Sequence, residues 1–420
     1  MKLQLNNIGK IGKADIELNG ITVIAGENNT GKSTVGRALF AVFNSFYNVQ
    51  KQIEFEKVEY ISRKLSSGVL RPSLYSNYGS KADEIAKALV RNYVPQSIET
   101  FESYLMDLLQ QSVKADSDIS IETSAIKDIK DTLEISNNDL LQIIIEKRLR
   151  EEFYGQVSNI FNDGDGKINL NIQKDDISVQ IDPDGNVKYS GDISLNTEVV
   201  YIDDPFVIDS VDVSSLIINY NSEDHRSHLC RKLFSDGNRR IVDELIAKEQ
   251  FKKVFEKLDT VCSGDIIKDK SLNQFGYKRK DSDKVLNAKN LSTGLKSFAI
   301  IKKLILNGTI EKNGTIILDE PEIHLHPEWQ LLFAEIIVLL HKTFDIHILL
   351  NTHSPYFLRA IQVYAAKYKI GNRCKYYLSD MNGDIAIIKD VSENIDEIYA
   401  KLASPFQTLE NEEWSDGYSN

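Results

Sequence analysis

A chain of 420 residues has room for about two to three ordinary domains, or for one composite domain with insertions. With 42% hydrophobic and 27% charged residues it is a globular mixture able to bury a sizeable core, and a net charge of -12 excludes a surface coated in basic groups for nucleic acid while leaving a local basic groove open. Three dispersed cysteines, Cys230, Cys262 and Cys374, form no CxxC pair, which excludes a disulfide scaffold and a cysteine zinc ribbon and fits a reducing compartment, so a cytoplasmic location is expected.

The first residues alternate, at Lys2 to Leu5 and Ala14 to Leu18, and carry no apolar leader of the secretory kind. Ile21 to Ala25 is a short apolar run of the sort a fully buried strand shows. A Gly-rich turn follows, then Val35, Ala38, Leu39, Val42, Phe43 and Phe46, the stripe of a helix packed on a sheet. The turn reads Gly26-Glu27-Asn28-Asn29-Thr30-Gly31-Lys32-Ser33, followed by Thr34, and fits G-x-x-x-x-G-K-[ST] at every fixed position. The chemistry needs those residues. Glycines let the backbone wrap phosphates, and loop N–H groups and the helix N-terminus supply positive potential. Lys32 is expected to reach the β- and γ-phosphates, and the Ser33 hydroxyl to ligate Mg²⁺.

Residues 50–166 change texture. They are polar with helical periodicity in pieces, without sustained heptads, and are expected to form a helical insertion. Strand patterning returns over 167–202, with a turn at Asp182-Pro183-Asp184-Gly185. Residues 210–284 are expected to be a second, mostly helical insertion carrying the basic residues Arg226, Arg231, Lys232, Arg239 and Arg240, continued by Lys268, Lys270, Lys278, Arg279 and Lys280. Strands and helices then alternate over 285–392, which implies βαβ units and a parallel sheet. Residues 393–420 read as a C-terminal helix, Ile395 to Leu402, with a loose acidic end. No apolar run approaches the ~18–20 residues of a membrane span, so no membrane partner is expected.

Three further motifs stand in this last third. Thr315-Ile316-Ile317-Leu318-Asp319-Glu320 is a buried strand ending in two acids. At the C-terminal edge of a parallel sheet Asp319 would lie beside Mg²⁺ and Glu320 would polarise an attacking water. Upstream, Leu291-Ser292-Thr293-Gly294-Leu295-Lys296-Ser297 places small residues at a helix start, with Ser292 as N-cap. Asn351-Thr352-His353-Ser354-Pro355 ends another buried strand, which aims His353 at a γ-phosphate.

In this order the four elements resemble the ATP-binding head of ABC-type ATPases, in the branch with SMC, RecF and overcoming-lysogenization-defect (OLD) proteins. GENNTGKST resembles the Walker A motif, LSTGLKS the ABC signature, ILDEPE Walker B with its catalytic glutamate, and THSP the His switch; Glu322-Ile323-His324-Leu325-His326-Pro327 is similar to the D-loop of the OLD-like branch. The resemblance implies an α/β P-loop NTPase with a mixed two-lobe sheet, split over 1–49, 167–209 and 285–392. It also implies ATP and Mg²⁺ as cofactors and a homodimer with ATP sandwiched between heads, Ser292 and Gly294 touching the γ-phosphate held by the other subunit. Thr293 stands where the common signature has glycine. No Mg²⁺-ligating Gln is evident, and Asp203 or Asp204 at the strand end Tyr201–Phe206 is the expected equivalent; Lys10 and Lys13 are candidate nucleotide contacts. Many OLD proteins continue into a TOPRIM nuclease, for which the stretch after His353 is expected to be too short. The resemblance therefore points to an ATPase that controls a separately encoded effector, a nuclease, in bacterial antiphage defence of the Septu or retron type. The alternative is a RecF- or SMC-like ATPase of DNA repair, with the basic residues facing duplex DNA.

Overall fold

The computed structural model describes residues 1–68, 78–112, 122–162, 164–209, 222–235, 249, 251–269 and 274–417. Two compact units emerge, one of residues 1–47 and 145–420 and the other of residues 48–144.

The larger unit is built on a mixed sheet. β1 (Lys2–Ile8) and β2 (Ile11–Glu17) form a hairpin, and β3 (Ile21–Gly26) runs into α1 (Lys32–Ser45). β4 (Gly166–Ile172), β5 (Asp175–Ile181) and β6 (Val187–Ser190) form a meander, followed by β7 (Val199–Ile202). α7 (His225–Phe234) and α8 (Lys252–Asp259) precede a separate antiparallel sheet of β8 (Gly264–Asp269), β9 (Gln274–Arg279) and β10 (Val285–Asn287). Then come α9 (Thr293–Leu306), β11 (Thr315–Asp319), α10 (Pro327–Phe344), β12 (His347–Thr352), α11 (Pro355–Lys367), β13 (Cys374–Asn382), β14 (Ile385–Asp390) and α12 (Asp396–Gly417).

The large sheet has the order β6-β5-β4-β1-β2-β14-β13-β3-β12-β11-β7. From β13 to β7 every pairing is parallel, whereas β6-β5-β4-β1-β2 is an antiparallel wing. The sequence patterns follow from this difference. β3, β7 and β11 are buried at every residue, as strands covered on both faces must be, while β1, β2 and β5 alternate. The predicted stripe on α1 is fully buried. One continuous core joins Val23, Ile316 and Leu350 from the parallel strands to Phe298, Phe333 and Phe357 from α9, α10 and α11. Burying each such side chain stabilises the fold by about 1.5–3 kcal/mol.

The smaller unit holds α2 (Val49–Gly68), α3 (Tyr78–Asn92), α4 (Ile98–Ser112), α5 (Thr123–Glu134) and the start of α6 (Asn137–Glu152). Its own core includes Ile61, Leu65, Leu89, Phe101, Leu105 and Ile129.

Three expectations are corrected here. Residues 145–166, read as the end of the first insertion, belong to the larger unit. The stretch 210–284 is not mostly helical where it is described past α8, because Ile266, Phe275 and Tyr277 bury in a strand-paired core. The C-terminal helix continues to Gly417 rather than fraying after Leu402.

Candidate nucleotide-binding site

Parallel register sets the site. Asp319 at the end of β11 pairs with Asn351 on β12, and Thr352 pairs with Ala25 just before the Gly-rich loop. Three strand ends therefore meet at one sheet edge, where open α/β sheets bind ligands. Gly26 is confined to glycine, since a Cβ there would lie 2.2 Å from the Ser379 carbonyl oxygen. Gly31, at φ 82°, caps α1 in the left-handed region. The Thr30 hydroxyl donates to the Glu27 carbonyl and Ser379 donates to the Thr30 carbonyl, so the loop is held at both ends.

Lys32 is only 4% exposed, with its ammonium donating to the Gly26 and Glu27 carbonyls at 3.1 and 2.6 Å and lying 3.7 Å from Glu320 Oε1. Burial lowers its pKa, against the nearby carboxylates of Glu320 and Asp319 that raise it. Glu320 sits at φ 48°, a strained conformation for a non-glycine residue, with its N–H donating to the Asn351 carbonyl at 2.9 Å. His353 Nδ1 lies 3.3 Å from Glu320 Oε1, so Lys32 and His353 converge on the Glu320 carboxylate.

Asp319 is buried and accepts from the Tyr201 hydroxyl at 2.7 Å and the Asn351 amide at 3.0 Å. An ionised carboxylate has about four acceptor sites, so sites remain for a cation shell. The Ser33 hydroxyl, beside Lys32 in the cleft, makes no side-chain hydrogen bond among the described residues. A hydroxyl and a carboxylate are hard oxygen donors of the kind Mg²⁺ prefers, and the loop is an anion cradle, so the residues present fit a magnesium-bound nucleotide.

Asn29, Thr30, Gly31, Lys32, Ser33 and Thr34 line one cleft together with Glu320, and Gly26, Glu27 and Asn28 precede them in the chain, Gly26 ending β3, without lining it. Lys10 also lines the cleft; Lys13 does not. Ser292 and Gly294 stand elsewhere, in a separate depression with His324, His326 and Trp329. Ser292 is the N-cap of α9 by backbone geometry but makes no capping side-chain bond. His326 caps α10, accepting from Glu328 N–H, and His324 meets Phe206 edge to face.

Asp203 and Asp204, the expected equivalents of a Mg²⁺-ligating Gln, are both engaged with other partners. Asp204 caps the short turn Pro205–Ile208, and Asp203 binds His225 at 3.0 Å and the Arg226 guanidinium at 2.8 and 2.6 Å. The residue of β7 that reaches Asp319 is Tyr201, whose ring stacks on His225 at 4.2 Å. A tyrosine inside an otherwise apolar buried strand was the available signal, because its hydroxyl must find a partner. The contact between Glu322 and Thr352, named only within their separate motifs, was also missed: the Thr352 hydroxyl donates to Glu322 Oε1, and burial pushes the Glu322 carboxyl above its ordinary pKa.

Within the expected basic strip, acids neutralise most of the described members. Arg226 binds Asp203, Lys232 lies 2.5 Å from Glu198, Arg279 pairs with Asp281 and Lys280 with Asp259, while Lys278 lies 3.2 Å from Asp283. Arg239, Arg240 and Lys270 lie outside the described residues.

The His225 network gives stability a pH dependence. Burial alone would lower the His225 pKa, but hydrogen bonds to Asp203 and Glu152 outweigh it and raise the value to about 9. Burial would raise Asp203, yet hydrogen bonds from His225 and Arg226 hold it at about 2. The histidine's contribution is thus complete below its unfolded value of 6.5 and lost as pH rises through about 9; that of Asp203 is present above 3.8 and lost as pH falls through about 2. Denaturant unfolding should show stability on the order of 3 kcal/mol draining away across pH 6.5–9 in the native chain and not in His225→Gln. Equal slopes in both would refute the network's role.

A parallel sheet edge carrying a Gly-rich loop, a buried lysine and a strand-end acid pair defines a P-loop nucleotide-binding head. The family model described as "AAA domain, putative AbiEii toxin, Type IV TA system" matches residues 21–359, and the chain belongs to this family of ABC-type ATPases. It is 27% identical over 169 residues to the "Retron Vc95 probable ATPase" of Vibrio cholerae serotype O1 biovar El Tor, a match covering 38% of this chain and 29% of that protein. It is 30% identical over 86 residues to the "OLD nuclease" of Thermus scotoductus, covering 20% of this chain and 16% of that protein. The chain thus spans less than a third of the length of these relatives. Among solved structures, an SMC head bound to the C-terminal winged-helix domain of ScpA aligns with 94% of this chain and 98% of its own at 13% identity, TM-score 0.45. The SMC head with an extended coiled coil from Pyrococcus furiosus, bound to the C-terminal domain of ScpA, aligns with 98% of each chain at 12% identity, TM-score 0.43. No helix among the described residues is long and apolar enough to cross a membrane.

Proposed function

We propose that this chain hydrolyses ATP with Mg²⁺ at a site completed by a second copy, and that its nucleotide cycle controls a separately encoded nuclease effector in antiphage defence. The observation that carries the catalytic reading is the convergence of Lys32 and His353 on the Glu320 carboxylate beside buried Asp319, at 3.7 and 3.3 Å. In this reading Gly26–Thr34 cradle the phosphates and Lys32 leaves its two carbonyl partners for the β- and γ-oxygens. Ser33 and Asp319 hold the cation, whose charge offsets that developing on the phosphates. Glu320 accepts the proton of the attacking water, and His353 orients the Glu320 carboxylate and donates toward the γ-phosphate. The separation of Ser292 and Gly294 from this cleft supports a site shared between copies, since Ser292 at the start of the signature helix is exposed. The effector rests on the relatives named for a retron and for an OLD nuclease.

Subunit complementation tests the shared site. Ser292→Glu puts a carboxylate on an exposed N-cap, which favours the helix by its dipole but repels a triphosphate, so the fold should survive while turnover is lost. A Lys32 variant should be inactive by itself as well. Mixed, the two should regain turnover, because half the sites of a heterodimer carry neither change. A mixture as inactive as its components, despite subunit exchange, would overturn the shared site.

A further inference from the structure

The cleft does not end at the phosphate loop. Its volume of about 500 Å³ continues along residues 153–161, which follow α6. A cavity of that size falls in the range that holds a whole small-molecule ligand.

The segment is fixed by backbone. Tyr154 and Gly155 both adopt positive φ, at 52° and 83°, and the Gly155 N–H returns to the Arg150 carbonyl at 2.8 Å, which turns the chain off the helix. Gly9 N–H then donates to the Val157 carbonyl at 2.8 Å and Asn159 N–H to the Asn7 carbonyl at 3.2 Å. The loop is thereby tied to the β1–β2 turn, against the same cleft as Lys10.

Two features of this wall have no structural use. Tyr154 and Phe161 are 78% and 79% exposed, although both line the cleft, and the Arg37 guanidinium lies 5.8 Å from the Tyr154 ring centroid. Asn159 is only 6% exposed; its Oδ1 accepts from the Phe161 N–H at 2.9 Å, but its Nδ2 has no acceptor. A buried amide donor left unpaired costs about 1–3 kcal/mol, so its persistence at the wall of a ligand cleft calls for an acceptor from outside.

We infer that residues 153–161 form the base pocket of the nucleotide whose phosphates occupy the Gly26–Thr34 loop, and that the base is a purine. Tyr154 and Phe161 offer aromatic faces for stacking, and the Asn159 Nδ2 donates to an acceptor on the base edge. Purines present ring nitrogens for that donor, and their bicyclic face covers more of the aromatic wall than a pyrimidine does. The inference rests on the phosphate-loop reading above, and it assigns specificity to a segment after the helical insertion rather than to the loop itself.

Calorimetry with ATP, CTP and inorganic tripolyphosphate separates the two. Phe161→Ala changes an exposed side chain, so folding, checked by a thermal melt, should be unaffected. It should weaken ATP about tenfold or more and leave tripolyphosphate unchanged. Asn159→Asp keeps the acceptor for Phe161 N–H and removes the donor; it too should weaken ATP selectively. CTP should bind the native chain more weakly than ATP. Unchanged ATP affinity in Phe161→Ala, equal losses for ATP and tripolyphosphate, or CTP binding as tightly as ATP would each overturn the base pocket. A native chain that binds neither ATP nor tripolyphosphate would instead sink the phosphate-loop reading.

Discussion

Glu320→Gln should lower steady-state ATP turnover by about 10²–10⁴-fold while leaving ATP affinity intact, and should accumulate an ATP-bound dimer. The geometry singles out this carboxylate. Its backbone is held at φ 48° by the bond from its own N–H to Asn351, so the side chain projects past the strand end rather than into the sheet. Oε1 then stands within 3.3 Å of His353 Nδ1 and 3.7 Å of Lys32 Nζ. Glutamine preserves length and shape but cannot accept a proton from water. The neighbouring acid supplies the contrast: Glu322 is buried and accepts from the Thr352 hydroxyl, and burial pushes its carboxyl above its ordinary pKa, so Glu322→Gln should act through stability. Single-turnover hydrolysis and size-exclusion chromatography with ATP distinguish the outcomes. Undiminished turnover in Glu320→Gln would remove it as the base.

The phosphate loop, the acid pair and the strand-end histidine were legible in the sequence because each depends on local chemistry: glycine at positive φ, small residues before a helix, acids directly after an apolar run. The parallel block was legible for a similar reason, since strands buried on both faces lose their alternation. What could not be read depends on contacts between distant segments. Tyr201 reaches Asp319 because β7 pairs with β11, a neighbour more than a hundred residues away in sequence, and Asp203 is drawn off by His225 on a helix that follows. Boundaries suffered from the same cause. Residues 145–162 continue a helical pattern that begins in the insertion, and only the backbone bonds from Gly9 and Asn159 reveal that the chain has rejoined the head. The basic strip was visible as composition, whereas its acidic partners are spatial neighbours that composition cannot pair.

Lys32→Met separates binding from folding more sharply than any other change. The ammonium is almost fully buried, and two backbone carbonyls and one carboxylate at 3.7 Å are its partners, so removing it from water is only partly compensated by them. The burial-lowered pKa states the same imbalance: the charged form is disfavoured where it stands. Methionine keeps the aliphatic stem and fills similar volume without the charge, and exchanging a buried charge for a well-packed apolar group is often neutral or stabilising. The unliganded variant should therefore melt no lower than the native chain. With ATP the order should reverse. A ligand at a hundred times its Kd stabilises by about 2.7 kcal/mol, and this increment should vanish in the variant because the phosphates lose the one cation placed inside their loop. Melting curves with and without ATP and Mg²⁺ read both effects in one experiment. A variant that melts lower without ligand but keeps its ATP shift would make Lys32 a structural residue of the loop; one that keeps both would remove it from the site.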